Sequence, residues 1–298
     1  MRISEAFNEY RKREIKGRGG SINTDKAYQY TSRVVVGYFG DINIRRLKLD
    51  DISDFYLDLI EPRLGRVGQR LVSRDTAKEY VSKLRTVVRF CRKRGIHTVN
   101  PDEIALPKSE KKHARFIDTA QYRRFIEELA KPRRGYSRLN RERNVLICKM
   151  LFYTGLRIGE LCALDRTTIR NRQFTVVGKS KDPRPCFITR EIEGDIERYL
   201  SMRTDDNPAL FIANETGERV TPTNVQRVFR RAARATGLPK VTPHTMRHSF
   251  ATRMIEDGVD IRYVAAFLGH QSLNTTKRYT HVRDYKMAQI YTKVMESC

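Results

Sequence analysis

Apolar residues recur along most of the chain with the period of an α-helix. Leu84, Val87, Val88 and Cys91 stand at i, i+3, i+4 and i+7, which lines one helix face, and the residues before position 100 read as helical throughout. Residues 119–130 and 141–153 predict two more helices, the second closed by Gly155, a residue suited to a left-handed cap. A short helix over 157–164 follows. The period then drops to two in RQFTVVGK and RPCFITR, with Gly178, Asp182 and Pro183 between them, which predicts a β-hairpin. Helical spacing returns over 192–202, 224–235, 243–256, 261–268 and 273–281. One stretch, residues 100–113, carries two prolines, a serine and a charge cluster but no apolar period. It divides the 298 residues into a helical part, 1–105, a linker, 106–113, and a second part, 114–298. The fold class is mainly α with a small β-sheet: a helical N-terminal domain and a mixed α/β second domain.

Composition narrows the function. Lys and Arg number 59 against 35 Asp and Glu, a formal net charge of +24 with a pI near 10.1. Such an excess points to a polyanion, because neutralising phosphates releases condensed counterions. The charge is spread over both parts, with 23 basic and 15 acidic residues up to position 110 and 36 and 20 after it. An acidic membrane is the competing polyanion, but the longest uncharged apolar runs, such as 264–269, fall far short of the ~20 residues of a span. The N-terminus also lacks the apolar core of a signal peptide. Five cysteines, odd in number and without a C-x-x-C pair, read as reduced core residues of a cytoplasmic protein.

Two helices offer cationic stripes to a nucleic acid. Arg85, Arg89, Arg92 and Lys93 lie opposite the 84/87/88/91 face, with no acidic residue between 81 and 97. Arg227, Arg230, Arg231 and Arg234 repeat at i, i+3, i+4 and i+7. Residues 131–143 hold six basic residues, seven with Lys149, against one acid, and read as a loop-borne phosphate contact.

The stretch from His244 to His281 contains four of the six histidines. Thr242 can cap a helix and Pro243 can occupy its first position. His244 and Arg247 then share a face near the N-terminus, where free N–H groups favour an anion, whereas Met246, Phe250 and Met254 line a different face as core. His270 follows Gly269, which can close the preceding helix, and Ser272 can cap the next one, which bears Tyr279. A zinc reading of His244 and His248 lacks the general-base Glu of H-E-x-x-H and places a permanent cation, Arg247, beside the ion, so no metal is expected. His248 and His281 read as structural; for His244 and His270 the structural reading competes with a phosphate site shared with Arg247.

TGLRIGEL (154–161), HTMRH (244–248), LGH (268–270) and Tyr279 in RYTH resemble, in order and separation, the signature boxes of the tyrosine recombinase or phage integrase family. The likeness covers about residues 113–298; the part before the linker is similar to the family's helical core-binding domain in length, position and basic helices, and the compact length is similar to the Xer type. The resemblance implies that Arg157 and Arg247 clamp the scissile phosphate, that His244 hydrogen-bonds it, that His270 manages the nucleophile's proton, and that Tyr279 is the nucleophile. The general acid would be a hairpin lysine, Lys179 or Lys181, with the Gly-Lys step favouring Lys179. Glu160 is similar to a supporting family carboxylate, against the reading of an ordinary helix-surface acid.

The implied activity is site-specific recombination of double-stranded DNA through a 3′-phosphotyrosyl link and a Holliday junction, in a synaptic homotetramer without cofactor. The task would be dimer resolution, or integration and excision of a mobile element. The chemistry is consistent with the residues: arginines and imidazoles stabilise a phosphodiester transition state without metal, and no nucleotide-binding G-x-x-x-x-G-K-[ST] is present. A non-catalytic DNA-binding relative would show a damaged box, and a type IB topoisomerase shares the nucleophile but not the compact layout. Residues 286–295 carry apolar positions at helical spacing and read as a helix packed on its own domain, whereas the resemblance implies one that docks on a neighbouring protomer.

Overall fold

The computed structural model describes residues 1–61, 71–107, 116–178, 183–213, 216–238 and 240–269. The chain divides into two compact units, Met1–Lys111 and Lys112–Cys298.

The first unit contains α1 (Ile3–Tyr10), extended by a π-helical turn at Arg11–Lys16, then α2 (Ile22–Phe39), α3 (Leu49–Ile60) and α4 (Arg74–Lys93). Ser73 starts α4 by accepting a hydrogen bond from the Thr76 amide. Leu84, Val87, Val88 and Cys91 are all fully buried, so the predicted stripe is the core face of α4, packed with Phe7, Val35, Ile44 and Phe55.

The second unit holds α5 (Thr119–Ala130), α6 (Arg138–Thr154), α7 (Ile158–Cys162), the strands β1 (Gln173–Val177) and β2 (Pro183–Phe187), α8 (Arg190–Ser201), α9 (Pro222–Ala235), α10 (Pro243–Glu256) and α11 (Ile261–Leu268). Helix α6 starts three residues earlier than its apolar pattern predicts, because Ser137 caps it through the Asn140 amide. Its end is as expected. Gly155 sits at φ +63, and a Cβ there would meet the Phe250 ring at 2.6 Å, so both conformation and packing require glycine. The strands pair antiparallel with Phe174 opposite Cys186 and Val176 opposite Arg184, and these four side chains form the inward face. The core of the unit runs through Phe125, Met150, Leu151, Leu161, Phe211, Phe229 and Met246; a smaller cluster joins Ala251, Val264 and Leu268 with Phe250 and Met254. Cys91, Cys148, Cys162 and Cys186 are buried free thiols, and burial pushes Cys162 up to about 12 and Cys186 to about 11, which makes them poor nucleophiles. Among the described residues, no helix is long and apolar enough to cross a membrane. The helix predicted over 273–281 and the one over 286–295 lie outside the described residues.

Candidate functional site

Arg157 is the residue whose local setting differs most from its sequence reading. The apolar pattern makes it the first residue of a helix over 157–164, but α7 begins at Ile158 and Arg157 is its N-cap, with extended backbone at φ −72, ψ 146. The cause is Glu160, three residues on, whose Oε2 accepts the Arg157 amide at 2.8 Å. An N-cap side chain leaves the helix sideways rather than lying along it. The guanidinium reaches Glu160 Oε1 through Nη1 at 2.9 Å and the Gly269 carbonyl through Nη2 at 3.2 Å. It remains 35% exposed, and the rest of its N–H donors have no partner among the described residues.

Arg247 comes to the same place from α10. Thr242 caps that helix through the Thr245 amide and Pro243 occupies its first position, as the sequence predicts. Arg247 is nearly fully buried; Nη1 donates to the Gly155 carbonyl at 2.6 Å and Nη2 to the Leu268 carbonyl. The two arginines, 90 positions apart, are therefore tied to consecutive carbonyls, Leu268 and Gly269, at the end of α11. The carbonyl end of a helix carries partial negative charge and suits a guanidinium. Helix α11 stops there because Gly269 adopts the left-handed conformation, φ +61, ψ 49. His244 is exposed at the first turn of α10, with its ring 4.2 Å from that of buried His248, inclined at 61°.

Glu160 is not a helix-surface acid. Its side chain is 8% exposed and its carboxylate also takes two hydrogen bonds from Arg184, Nη1 to Oε1 at 3.0 Å and Nη2 to Oε2 at 2.6 Å. Burial alone would raise its pKa, but the Arg184 bonds, the Arg157 amide and the Arg157 side chain outweigh burial and hold it at about 2. Arg184 is the site residue that the sequence reading missed. Its signal is present: in the alternating strand RPCFITR, Arg184 shares the inward face with Cys186, where an unpaired cation would be costly.

Of the remaining expected catalytic residues, Lys179, Lys181, His270 and Tyr279 lie outside the described residues. The structure thus brings together Arg157, Arg247 and Glu160, with Arg184 added.

The cationic faces divide. Arg227, Arg230, Arg231 and Arg234 are all exposed on α9 and none forms an ion pair among the described residues; Arg231 lies 4.3 Å over the Tyr136 ring. On α4 the expectation of a stripe without acidic partners needs correction. The chain folds back after Gly95, so that Asp102 accepts from Arg89 at 2.6 Å and stands 4.0 Å from Arg85, while Arg85 also reaches the Ile104 carbonyl. Arg92 and Lys93 stay exposed. The basic run at 131–143 is also partly internal: Arg143 is buried against the Ile212 carbonyl, Lys131 and Arg133 both bind Glu128, and Lys149 binds Glu191 and Asp195.

The sequence pattern of the phage integrase family matches residues 115–286. Tyrosine recombinase XerC of Alcanivorax borkumensis is 33% identical over 278 residues, covering 83% of this chain and 88% of that protein. Tyrosine recombinase XerC of Corynebacterium glutamicum is 28% identical over 274 residues, covering 88% and 86%. Among solved structures, the Tn1549 transposon integrase in complex with a circular intermediate DNA aligns with a TM-score of 0.77 at 19% identity, over 99% of each chain, a likeness of fold.

Proposed function

The chain belongs to the phage integrase family, and on that premise we propose that it is a site-specific tyrosine recombinase that breaks and rejoins double-stranded DNA. The observation that carries the reading is the convergence of Arg157 and Arg247 on consecutive carbonyls directly before His270 in the sequence. Guanidinium groups held in this way are oriented before substrate arrives, so they stabilise the transition state with little reorganisation.

In the reaction, the Tyr279 oxygen attacks the scissile phosphorus and forms a 3′-phosphotyrosyl bond while the bond to the 5′ oxygen breaks. Arg157, Arg247 and His244 bind the non-bridging oxygens, on which the charge spreads. His270 takes the tyrosine proton, and Lys179 gives a proton to the departing 5′ oxygen. A 5′ hydroxyl from a partner strand then attacks the phosphotyrosine and restores a phosphodiester, so the exchange consumes no nucleotide and needs no metal. Two such exchanges proceed through a Holliday junction in a homotetramer. The N-terminal unit acts as the core-binding clamp and residues 114–298 as the catalytic domain, in the cytoplasm, in dimer resolution or in the movement of a mobile element.

A nicked suicide substrate tests the reading, because diffusion of the short 5′ fragment traps the covalent complex. The full chain is expected to yield a DNA adduct on denaturing gels that Tyr279→Phe abolishes. Wild-type protein that binds the site without forming an adduct would make it a non-catalytic DNA-binding protein.

A further inference from the structure

We propose that Arg184 is a positioning residue for Arg157: through Glu160 it aims the Arg157 guanidinium at the scissile phosphate and locks the hairpin to the end of α11. The inference rests on the phosphate-binding role of Arg157 proposed above.

Three observations carry it. First, Arg184 is buried and held within the protein. Its side chain is 7% exposed, both Nη atoms fork onto the two oxygens of Glu160, and Nε donates to the Phe267 carbonyl at 2.9 Å. Three of its five N–H donors are thereby held by the protein, two of them by the carboxylate that Arg157 also binds. Second, Glu160 is the shared partner. Each of its oxygens takes one bond from Arg184 and one from Arg157, by amide on Oε2 and by side chain on Oε1. A carboxylate held by one bidentate fork has a fixed plane, and that plane fixes the direction in which Arg157 Nη1 points. Without Arg184, the carboxylate could rotate about its own side chain, and Arg157 would follow it.

Third, the three arginines bind three successive carbonyls, Phe267 by Arg184, Leu268 by Arg247 and Gly269 by Arg157. The packing under this turn is close: a Cβ on Gly269 would stand 3.0 Å from Arg184 Cδ and 3.2 Å from its Nη1. On the other side, a Cβ on Gly178 would be 3.4 Å from Arg157 Nη1 and 3.8 Å from Arg184 Nη1. The strand that leads to the Gly-Lys step and the turn that precedes His270 are thus both fitted against the same pair of guanidinium groups. A lysine at 184 keeps the charge beside Glu160 but lacks the planar fork, so it holds the fold without fixing the carboxylate.

The test is a double-mutant cycle on single-turnover cleavage of the suicide substrate by the full chain. Arg184→Lys is expected to slow cleavage about 10- to 100-fold, the scale of a misaimed contact, with DNA affinity and thermal midpoint close to wild type. Arg157→Lys slows cleavage as well. The double variant is expected to be no slower than Arg157→Lys alone within about twofold, since no guanidinium then remains for Arg184 to aim. Wild-type cleavage by Arg184→Lys, or losses that multiply in the double variant, would overturn the proposal. If Arg184→Lys does not fold, the Glu160→Gln/Arg184→Gln pair, which removes both buried charges together, supplies the same cycle with Arg157→Lys, and the same two outcomes decide it. An Arg157→Lys protein that cleaves at the wild-type rate would instead overturn the phosphate role of Arg157, and this inference with it.

Discussion

At the scale of single residues, Glu160 determines how the site is charged. A buried carboxylate is tolerated there because it is saturated by two arginines, and its pKa falls from 4.5 to about 2. A depressed pKa contributes stability that is complete above the unfolded value and is lost as pH falls through the folded one. The stability difference between wild type and Glu160→Gln is therefore expected to be a few kcal/mol and constant above about pH 4.5, then to shrink toward pH 2. Urea unfolding at a series of pH values measures it; a difference independent of pH from 5 to 2 would show that Glu160 is not the titrating group. At the neighbouring position, Arg157→Ala is expected to lower the cleavage rate by about 10²- to 10³-fold, the usual loss for one preorganised donor to a developing oxyanion. Its DNA affinity should change little, because one contact among many is removed, and a filter-binding titration beside the cleavage assay separates the two.

At the scale of elements, the two cationic helices look alike in sequence and differ in structure. Helix α9 presents all four arginines to solvent, whereas on α4 Arg85 and Arg89 are engaged by the 102–104 segment, and Arg92, though exposed like Lys93, reaches the Thr98 carbonyl. Arg227→Ala and Arg230→Ala are each expected to reduce the slope of log affinity against log salt by about 1. Arg89→Ala is expected to leave that slope unchanged and to cost less than about 1 kcal/mol of stability, as befits a partly exposed ion pair.

The same contrast shows what was legible in the sequence. Helix periods, Thr242 and Pro243 at the start of α10, and the glycine ends at 155 and 269 were readable because each depends on residues within one or two turns. The pairing of Asp102 with Arg89 depends on how the chain returns after Gly95, and no local pattern encodes that return. Arg157 as an N-cap and Arg184 on an inward strand position were readable in principle. For Arg157 the partner, Glu160, is three residues away and within reach of a local pattern; for Arg184 it is 24 residues away, and only the inward strand position signals that a buried partner is needed.

At the scale of the whole molecule, the net charge of +24 resolves into different uses. Arg143, Arg184 and Arg247 are buried inside the second unit, and Lys149 and Arg203 are held by acidic partners. The remaining excess is distributed over both units, as expected of a protein that contacts one duplex with each. Affinity for a duplex is accordingly expected to fall by roughly 10³ or more between 50 and 200 mM salt, with Tyr279→Phe matching wild type throughout. A flat response would mean that the charge serves something other than DNA.

The proposed chemistry is that of a tyrosine nucleophile acting on a phosphodiester clamped by arginines, without metal. Mass spectrometry of the peptide linked to a suicide substrate, formed in the presence of excess EDTA, addresses nucleophile and metal together. The adduct is expected to form undiminished under chelation, with the 3′-phosphate carried by Tyr279; attachment to another residue, or an adduct that appears only when divalent metal is restored, would overturn this chemistry.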